Sequence, residues 1–371
     1  MAFFTNKWDG SEFFKIHDFH HVELFVGNAK QAVHYYCSAF GFEPYAYTGP
    51  ETGVRDYVSY VVRNNKLFFV FTTPLSSSHH SSEWLRDRGD GVYDIAFSVD
   101  CSETAYASCV SRGAEGLLDS TIIDDDGLYG KSTIRAYGST VHSFIKDFEY
   151  KGIWAPGFKS LNIPCSSNKT SLITIDHIVA NVDIGRMDEL GEFYERVFGF
   201  TNFVRFDETD ISTQFSALKS IVMRSKNWKV KLPINEPAKG KKKSQIQEYL
   251  DFNNGPGAQH IAILTNDIIS SIATLRENGV DFLDVPGTYY DTLLDRVGPI
   301  DEDIDRLKEL SILVDRDDDG YLLQLFTKPL HDRPTLFIEI IQRKGSKGFG
   351  QGNFQALFES IEREQELRGN L

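Results

Sequence analysis

The sequence predicts an α+β protein with two half-open barrel domains, each built from two βαβββ modules, and a C-terminal helix that closes over one of them. The chain has 371 residues, which exceeds the usual size of a single hydrophobic core. Related phrases recur in its two halves in the same order, as expected of a duplicated unit. We therefore expect an N-terminal domain at 1–160 and a C-terminal domain at 170–371. A loop at about 156–171, rich in Pro, Ser and Asn, is expected to join them.

The duplication rests on three pairs of phrases, which appear in matching order. They are HHVELFV and DHIVANV (20–26 and 176–182), FGF in both halves (40–42 and 198–200), and GDGVYDIA and GPGAQHIA (89–96 and 255–262). The first pair alternates in polarity like a strand, and the glycine of the second stands where a helix C-cap is followed by a strand. Each half is therefore expected to contain two units of strand, helix and strands.

The two copies differ at the positions that could carry chemistry. The candidates are His177, His260 and Glu339 in the C-terminal copy and His21, Asp94 and, by a looser match, Phe144 in the N-terminal copy. A full set of metal-binding side chains is present in the C-terminal copy alone. That copy also has more residues before its last strand, and we assign the excess to an acidic, helix-like stretch around 300–310 outside the barrel.

Glu339 indicates a bound cation. A single buried histidine, such as His177 or His260, is more often a hydrogen-bonded core residue than a metal ligand. Glu339, however, lies in the apolar strand LFIEII, where an unpaired carboxylate costs on the order of several kcal/mol to bury. Two imidazoles and one carboxylate form the facial set of ferrous oxygenases. The same three side chains are also suitable for zinc.

Composition excludes several classes of protein. The formal net charge of −14 argues against a nucleic-acid partner, which requires a basic surface. No segment is long and apolar enough to be a membrane span or a signal peptide. The four cysteines are too few for a disulfide scaffold, which fits a reducing cytoplasm. We therefore expect a cytoplasmic enzyme.

Three other motifs receive structural interpretations. The acidic stretch 315–320 resembles the start of a calcium loop, but Phe326 stands where the closing Glu belongs, so we predict a turn. His79 and His80 lie in a Ser-rich stretch that we expect to be an exposed loop. The basic run 239–243 is expected to be a solvated loop.

Several longer phrases resemble one family. They are LPINEP (232–237), GAQHIA (257–262), LQLFTKP (323–329), DRPT (332–335) and GFGQGNF (348–354). On these phrases the chain resembles the 4-hydroxyphenylpyruvate dioxygenases, of the vicinal oxygen chelate superfamily, over essentially its full length. The resemblance implies one Fe(II) per chain, held by His177, His260 and Glu339. It implies oxidative decarboxylation of 4-hydroxyphenylpyruvate with O2, ring hydroxylation and side-chain migration, giving homogentisate and CO2 in tyrosine and phenylalanine catabolism.

The resemblance also implies a substrate pocket. The implied polar groups around the oxo acid and phenol are Ser220, Asn235, Gln245, Gln259 and Gln324. The implied substrate-binding residues are Phe326, Phe337, Phe349, Asn353, Phe354 and Phe358, with Phe326 and Phe354 on either side of the ring. Neutral amides are able to orient both ends of the substrate without placing a competing charge beside the metal. Each phenylalanine taken alone is equally consistent with core packing.

The last segment predicts a lid. Phe354, Leu357, Phe358 and Ile361 have the spacing of an amphipathic helix, and a Gly-rich lead-in at 348–352 is suited to a hinge. By resemblance we expect a homo-oligomer, with a dimer favoured, formed through the N-terminal half. Three alternatives remain open: 4-hydroxymandelate synthase, a glyoxalase-like metal lyase, and a metal-free binding protein.

Overall fold

The computed structural model describes residues 13–164, 168–207, 215, 217–238 and 240–370. Two curled sheets, one from each half of the chain, carry helices on their outer faces, and this confirms the predicted α+β class. No helix of these described ranges is both long and apolar enough to cross a membrane. The expectations for the N-terminus, Cys165 and Lys239 fall outside the described residues.

The N-terminal half forms a nine-stranded sheet. Its strands are β1 (Ile16–Phe25), β2 (Glu43–Thr48), β3 (Tyr57–Asn64), β4 (Leu67–Pro74), β5 (Gly91–Val99), β6 (Gly116–Asp124), β7 (Gly127–Tyr137), β8 (Thr140–Lys146) and β9 (Lys159–Ser160). Its helices are α1 (Ala29–Phe40), α2 (His80–Arg88) and α3 (Ser102–Ser111). The strand order is β6-β7-β8-β5-β1-β4-β3-β2-β9. The two βαβββ modules therefore meet at the antiparallel pair β1 and β5.

The C-terminal half repeats this plan in an eight-stranded sheet. Its strands are β10 (Leu172–Asn181), β11 (Thr201–Phe206), β12 (Ala217–Arg224), β13 (Lys231–Ala238), β14 (Gly257–Thr265), β15 (Leu313–Asp317), β16 (Gly320–Phe326) and β17 (Phe337–Lys344). Its helices are α4 (Met187–Phe198), α5 (Gln245–Asn253), α6 (Ile268–Glu277), α7 (Thr288–Asp291), α8 (Leu293–Val297), α9 (Ile304–Leu310) and α10 (Phe354–Leu367). The order β11-β12-β13-β10-β14-β17-β16-β15 places β10 against β14.

Local sequence explains the matching helix ends in the two halves. Gly41 after α1 and Gly199 after α4 both have φ of 71°, the left-handed conformation that closes a helix with little steric cost only for glycine. The extra residues of the C-terminal half form α7 to α9, between α6 and β15. The acidic stretch is a hairpin turn, as predicted, in which Asp317 Oδ1 accepts from the backbone N–H groups of Asp319 and Gly320.

Two expectations need correction. The stretch around His79 is not simply an exposed loop, because α2 begins at His80 and the His79 side chain caps it by accepting from Ser81 N–H. The counterpart of Glu339 is also not Phe144. Register pairs Asp94 with Val141 and His260 with Phe337, so the residue equivalent to Glu339 is Ser143. A one-residue offset in a strand reverses the face, and Phe144 points into the core instead.

The two halves share a continuous hydrophobic core, and a buried polar contact crosses it. His142 on β8 bonds the Ile95 carbonyl through Nδ1 at 2.9 Å and the Tyr194 hydroxyl through Nε2 at 2.8 Å. Burial lowers the pKa of His142 to about 4. The folded protein therefore keeps this imidazole neutral where an unfolded chain, with a histidine pKa of about 6.5, begins to protonate it.

This difference predicts acid sensitivity. Between about pH 6.5 and about pH 4 the unfolded chain binds more protons at His142 than the folded one, so stability falls as pH falls. His142→Gln, which cannot ionise, is expected to show a smaller fall. Urea unfolding midpoints at about pH 7 and about pH 5 measure this, with His34→Gln on the surface of α1 as the control. An equal fall in wild type and His142→Gln contradicts the assignment.

Candidate metal centre and substrate cavity

Two β-bulges present the candidate histidines. In the pairing of β10 with β14, Asp176 is an extra residue beside His177, and Gln259 is an extra residue beside His260. Each bulge brings the side chain preceding the histidine onto its ring. Asp176 Oδ1 lies 2.7 Å from His177 Nδ1, and Gln259 Oε1 lies 3.1 Å from His260 Nδ1. Both Nε2 atoms are thereby left free to face the interior of the barrel.

Glu339 completes the cluster from β17. Its Oε2 lies 3.2 Å from His177 Nε2 and 3.3 Å from His260 Nε2, and all three side chains are buried. Ligand atoms that share one ion at bonds of about 2.1 Å and right angles lie about 3 Å apart. In the described part of the chain this is the one cluster of at least three His, Cys, Asp or Glu residues close enough for a metal. The residues present therefore fit a metal ion.

The electrostatics of the cluster favour a cation. Burial by itself would raise the pKa of Glu339, but the facing imidazoles of His177 and His260 lower it to about 2. Burial lowers the pKa of His260, whereas Glu339 and Asp176 outweigh burial and raise that of His177. Glu339 is therefore ionised at neutral pH. With both imidazoles in the neutral form that binds metals, the cluster offers three donor atoms and one negative charge to an ion.

A second group of buried charges holds His177 in place. Asp176 accepts two hydrogen bonds from Arg343, each of 2.8 Å, and lies 3.3 Å from the Lys231 ammonium. Burial opposes ionisation of Asp176, yet these two cations keep its pKa well below the usual range. The carboxylate therefore orients the His177 ring and fixes which nitrogen faces the interior. Sequence reasoning missed this group, although the charge of Asp176 beside a buried histidine was a usable signal.

A cavity of about 80 Å³ opens at the cluster. It is lined by nine of the eleven predicted pocket residues, namely Ser220, Asn235, Gln245, Gln259, Phe326, Phe337, Phe349, Phe354 and Phe358. Phe337 stacks on the His260 ring at a centroid distance of 4.8 Å, and Phe349 meets His177 edge-on at 5.1 Å. The walls are therefore aromatic and the polar groups are few, as in sites for small aromatic molecules.

The other two predicted residues lie outside this lining. Gln324 is buried on β16 beneath Gly350, at the loop that leads into α10. Asn353 is fully buried at the start of α10, where its Oδ1 accepts from the Tyr289 hydroxyl at 2.7 Å and its Nδ2 has no partner among the described residues. Both lie at the entry to α10, and their roles toward substrate stay predictions. The lining also includes apolar residues that sequence reasoning did not assign to the pocket: Val179, Phe206, Leu218, Val222 and Pro233.

Helix α10 covers the cavity, as its spacing predicts. Phe354, Leu357, Phe358 and Ile361 all face the cavity. The helix is held at its far end by Arg368, which pairs with the buried Glu248 of α5 at 2.8 Å. The Ser360 hydroxyl also donates to the Asp284 carbonyl. A helix that is held by an apolar face and a few polar contacts is suited to open and close as a lid.

Comparison with known proteins shows the family of this chain. Residues 18–122 and 174–325 match the family model described as the Glyoxalase/Bleomycin resistance protein/Dioxygenase superfamily, one match in each half. A 4-hydroxyphenylpyruvate dioxygenase of Coccidioides posadasii is 50% identical, over 95% of this chain and 94% of its own. The one from Danio rerio is 45% identical, over 100% and 96%. This chain belongs to the 4-hydroxyphenylpyruvate dioxygenase family.

Solved structures agree with the fold of the family. A mutant of 4-hydroxymandelate synthase from Streptomyces coelicolor is 30% identical, with a TM-score of 0.84, over 94% of this chain and 99% of that one. A fusion of a xylose isomerase-like TIM barrel and a 4-hydroxyphenylpyruvate dioxygenase shares the fold at 20% identity. Its TM-score is 0.74, with coverage of 95% of this chain and 54% of that one. The family of this chain is that of a metal-dependent dioxygenase, and the cluster at His177 fits it.

The hydrogen bond that His177 donates to Asp176 predicts that a change at Asp176 weakens metal binding although the three candidate ligands are kept. Asp176→Asn keeps the shape but removes the charge that Arg343 and Lys231 balance, so the His177 ring is held less firmly. Metal affinity is expected to fall about 10- to 100-fold. Titration of the metal-free protein with Fe(II) under anaerobic conditions measures it. Asp183→Asn, an exposed position, is the control, and an unchanged affinity in Asp176→Asn would refute the positioning role.

Proposed function

We propose that the chain converts 4-hydroxyphenylpyruvate and O2 into homogentisate and CO2, with one Fe(II) held by His177, His260 and Glu339. The observation that carries the proposal is the placement of this ligand set at one end of an aromatic cavity. A substrate with a 2-oxo acid at one end and a phenol at the other spans such a site. Relatives named for this activity, at 45–50% identity over nearly the whole chain, support it.

The metal supplies redox chemistry that protein side chains do not provide. When bound, Fe(II) activates dioxygen and provides a positive charge for the oxo acid through its open coordination positions. The choice of iron over zinc is supported by the family, since the donor set suits either metal. The protein's own residues bind the substrate, orient it and exclude water.

The aromatic wall fixes the ring of the substrate. Phe326 and Phe354 lie on the cavity, and we assign them to the two faces of the ring, with Phe337 and Phe349 beside the metal ligands. Aromatic faces hold a phenyl ring in offset or edge-on contacts. Because Phe337 also stacks on His260, the substrate ring and a metal ligand share one rigid support. This support restrains which ring carbon lies nearest the metal.

Neutral polar groups orient the two ends of the substrate. Gln259 accepts from His260 Nδ1–H through its oxygen, so its amide N–H groups are available to the cavity. Ser220 and Asn235 are cross-strand neighbours on β12 and β13, and Gln245 begins α5. We assign these four to the phenol and the oxo acid. None of them carries a charge, so the negative substrate is attracted by the metal alone.

The proposal extends to the state of the protein in the cell. We assign a cytoplasmic location, which the sparse cysteines support, with Cys101 and Cys109 free of disulfides. We also assign a dimer formed through the N-terminal half. Strand β6 lies at the edge of its sheet and exposes Ile123, which suits self-association.

The identity of the product tests the proposed reaction. Purified protein supplied with Fe(II), O2 and 4-hydroxyphenylpyruvate is expected to release homogentisate and CO2 in equal amounts. 4-Hydroxymandelate synthase is the nearest alternative, because its structure has the same fold at 30% identity. Chromatography of the products separates the two. Formation of hydroxymandelate instead of homogentisate contradicts the proposal, as does the absence of oxygen uptake.

The cover formed by α10 predicts a coupling defect. Phe358 is buried against Phe206, Leu218 and Tyr249, so Phe358→Ala loosens the helix and admits water to the cavity. We expect turnover to fall about tenfold or more and oxygen uptake to exceed homogentisate formed. Gln355→Ala, exposed on the same helix, is the control. Normal turnover in Phe358→Ala, or in a chain ending at Gly350, would show that α10 is not a functional lid.

A further inference from the structure

The N-terminal barrel contains its own deep cleft, which the proposed reaction does not use. Its cavity volume is about 530 Å³, against about 80 Å³ in the catalytic cavity. In the described residues no helix equivalent to α10 lies over it. Only the segment after β8, including Trp154 and Phe158, covers part of its opening. The cleft is therefore accessible to a small molecule.

Strand register shows what replaced the metal site in this cleft. Asp94 stands in place of His260, and Ser143 stands in place of Glu339. Lys131 occupies the position of Gln324, and its Nζ lies 3.7 Å from Asp94 Oδ2. Ser143 also donates to Asp94 through its hydroxyl and its backbone N–H. The ammonium of Lys131 thus neutralises Asp94 from within the chain, and no metal is needed there.

A second carboxylate, Glu23, lies on β1 opposite Asp94 and shares the charge of Lys131 with it. It takes the place of Val179, a lining residue of the catalytic cavity, and it lines the cleft. Its Oε1 accepts from the Thr72 hydroxyl at 2.6 Å, and Thr72 in turn contacts Ser59 at 2.6 Å. Thr72 and Ser59 occupy the positions of Asn235 and Ser220. None of the ion pairs found among the described residues includes Glu23.

The charge of the cleft is therefore negative near neutral pH. Glu23 and Asp94 contribute two carboxylates against the single ammonium of Lys131. Burial lowers the pKa of His21, His79 and His80, so these imidazoles are neutral and do not compensate. Burial raises the pKa of Asp94 to about 6, which leaves it mostly ionised at pH 7.

Aromatic rings stand close to Glu23. Phe25 and Tyr93 stack at a centroid distance of 4.0 Å, and His80 meets both rings within 5.5 Å. Tyr57 adds a further ring and packs on His79 at 4.9 Å. All of these residues line the cleft. A carboxylate beside several aromatic faces is the environment that binds organic ammonium groups, through charge and cation–π attraction.

We propose that the N-terminal cleft binds a small organic ammonium ion with an apolar or aromatic body, with the ammonium on Glu23 and the body against Tyr93 and Phe25. The Thr72 hydrogen bond fixes one oxygen of Glu23 and leaves the other for the ligand. Lys131 forms its ion pair with Asp94 and also attracts Glu23, so two carboxylates share one ammonium and one negative charge is left for the ligand. The site is independent of the metal centre, because it shares no lining residue with the catalytic cavity.

Calorimetry with three probes of one shape tests the proposal. The iron-loaded, full-length protein is titrated with phenethylammonium, with the neutral 2-phenylethanol and with the anionic 3-phenylpropanoate. We expect phenethylammonium to bind, and the alcohol and the carboxylate to bind at least about tenfold more weakly. Tighter binding of the carboxylate would show that Lys131 governs the cleft and would overturn the proposal.

Three variants locate the binding. Glu23→Gln keeps the Thr72 hydrogen bond but removes the charge, and we expect about tenfold weaker binding of phenethylammonium or more. Glu83→Gln, which removes an exposed charge on the nearby α2, and Glu339→Ala, in the catalytic cavity, are expected to bind normally. Melting temperatures confirm folding. Unchanged affinity in Glu23→Gln, or lost affinity in Glu339→Ala, contradicts the assignment to this cleft.

Discussion

The buried carboxylate of Glu339 is the constraint on which the catalytic half depends. It lies within 3.3 Å of two imidazole nitrogens, inside a barrel that offers it no cationic side chain among its closest partners. An ionised carboxylate buried in this way is stable only beside a positive charge. Three features shape the cavity around that charge. They are the bulges at Asp176 and Gln259, the stacking of Phe337 on His260, and the cover formed by α10.

The two barrels of the duplicated fold stabilise a buried carboxylate in different ways. In the C-terminal half the interior carboxylate faces two histidines and fits a metal ion. In the N-terminal half the carboxylate of Asp94 faces the ammonium of Lys131, which belongs to the chain itself. A metal ion bound by three ligands has open coordination positions for chemistry, whereas the ion pair of Asp94 and Lys131 has none. The polar pair Ser59 and Thr72 occupies the positions of Ser220 and Asn235, and Thr72 donates a hydrogen bond to Glu23.

The sequence was sufficient for the fold class, because the repeated phrases carry both strand alternation and the helix-ending glycines Gly41 and Gly199. Nine of the eleven residues that the family resemblance implied for the pocket line the cavity, and their roles toward substrate stay predictions. Sequence reasoning failed where register decides the outcome. Phe144 was predicted as the counterpart of Glu339, whereas strand register gives Ser143. A loose sequence match can be off by one residue, and in a strand that offset reverses the face on which the side chain lies. The ion pair of Arg343 with Asp176 joins residues that are distant in the chain, so no local sequence pattern predicts it.

Metal content is the most direct test of the central claim. After anaerobic loading with Fe(II) and removal of excess ion, elemental analysis of the wild-type protein is expected to give about one iron per chain, since the three donors form one site. Glu339→Ala is expected to retain less than about a tenth of this with its fold intact. His21→Ala, at the position of His177 in the other barrel, is expected to retain it all. Full iron content in Glu339→Ala would contradict the account.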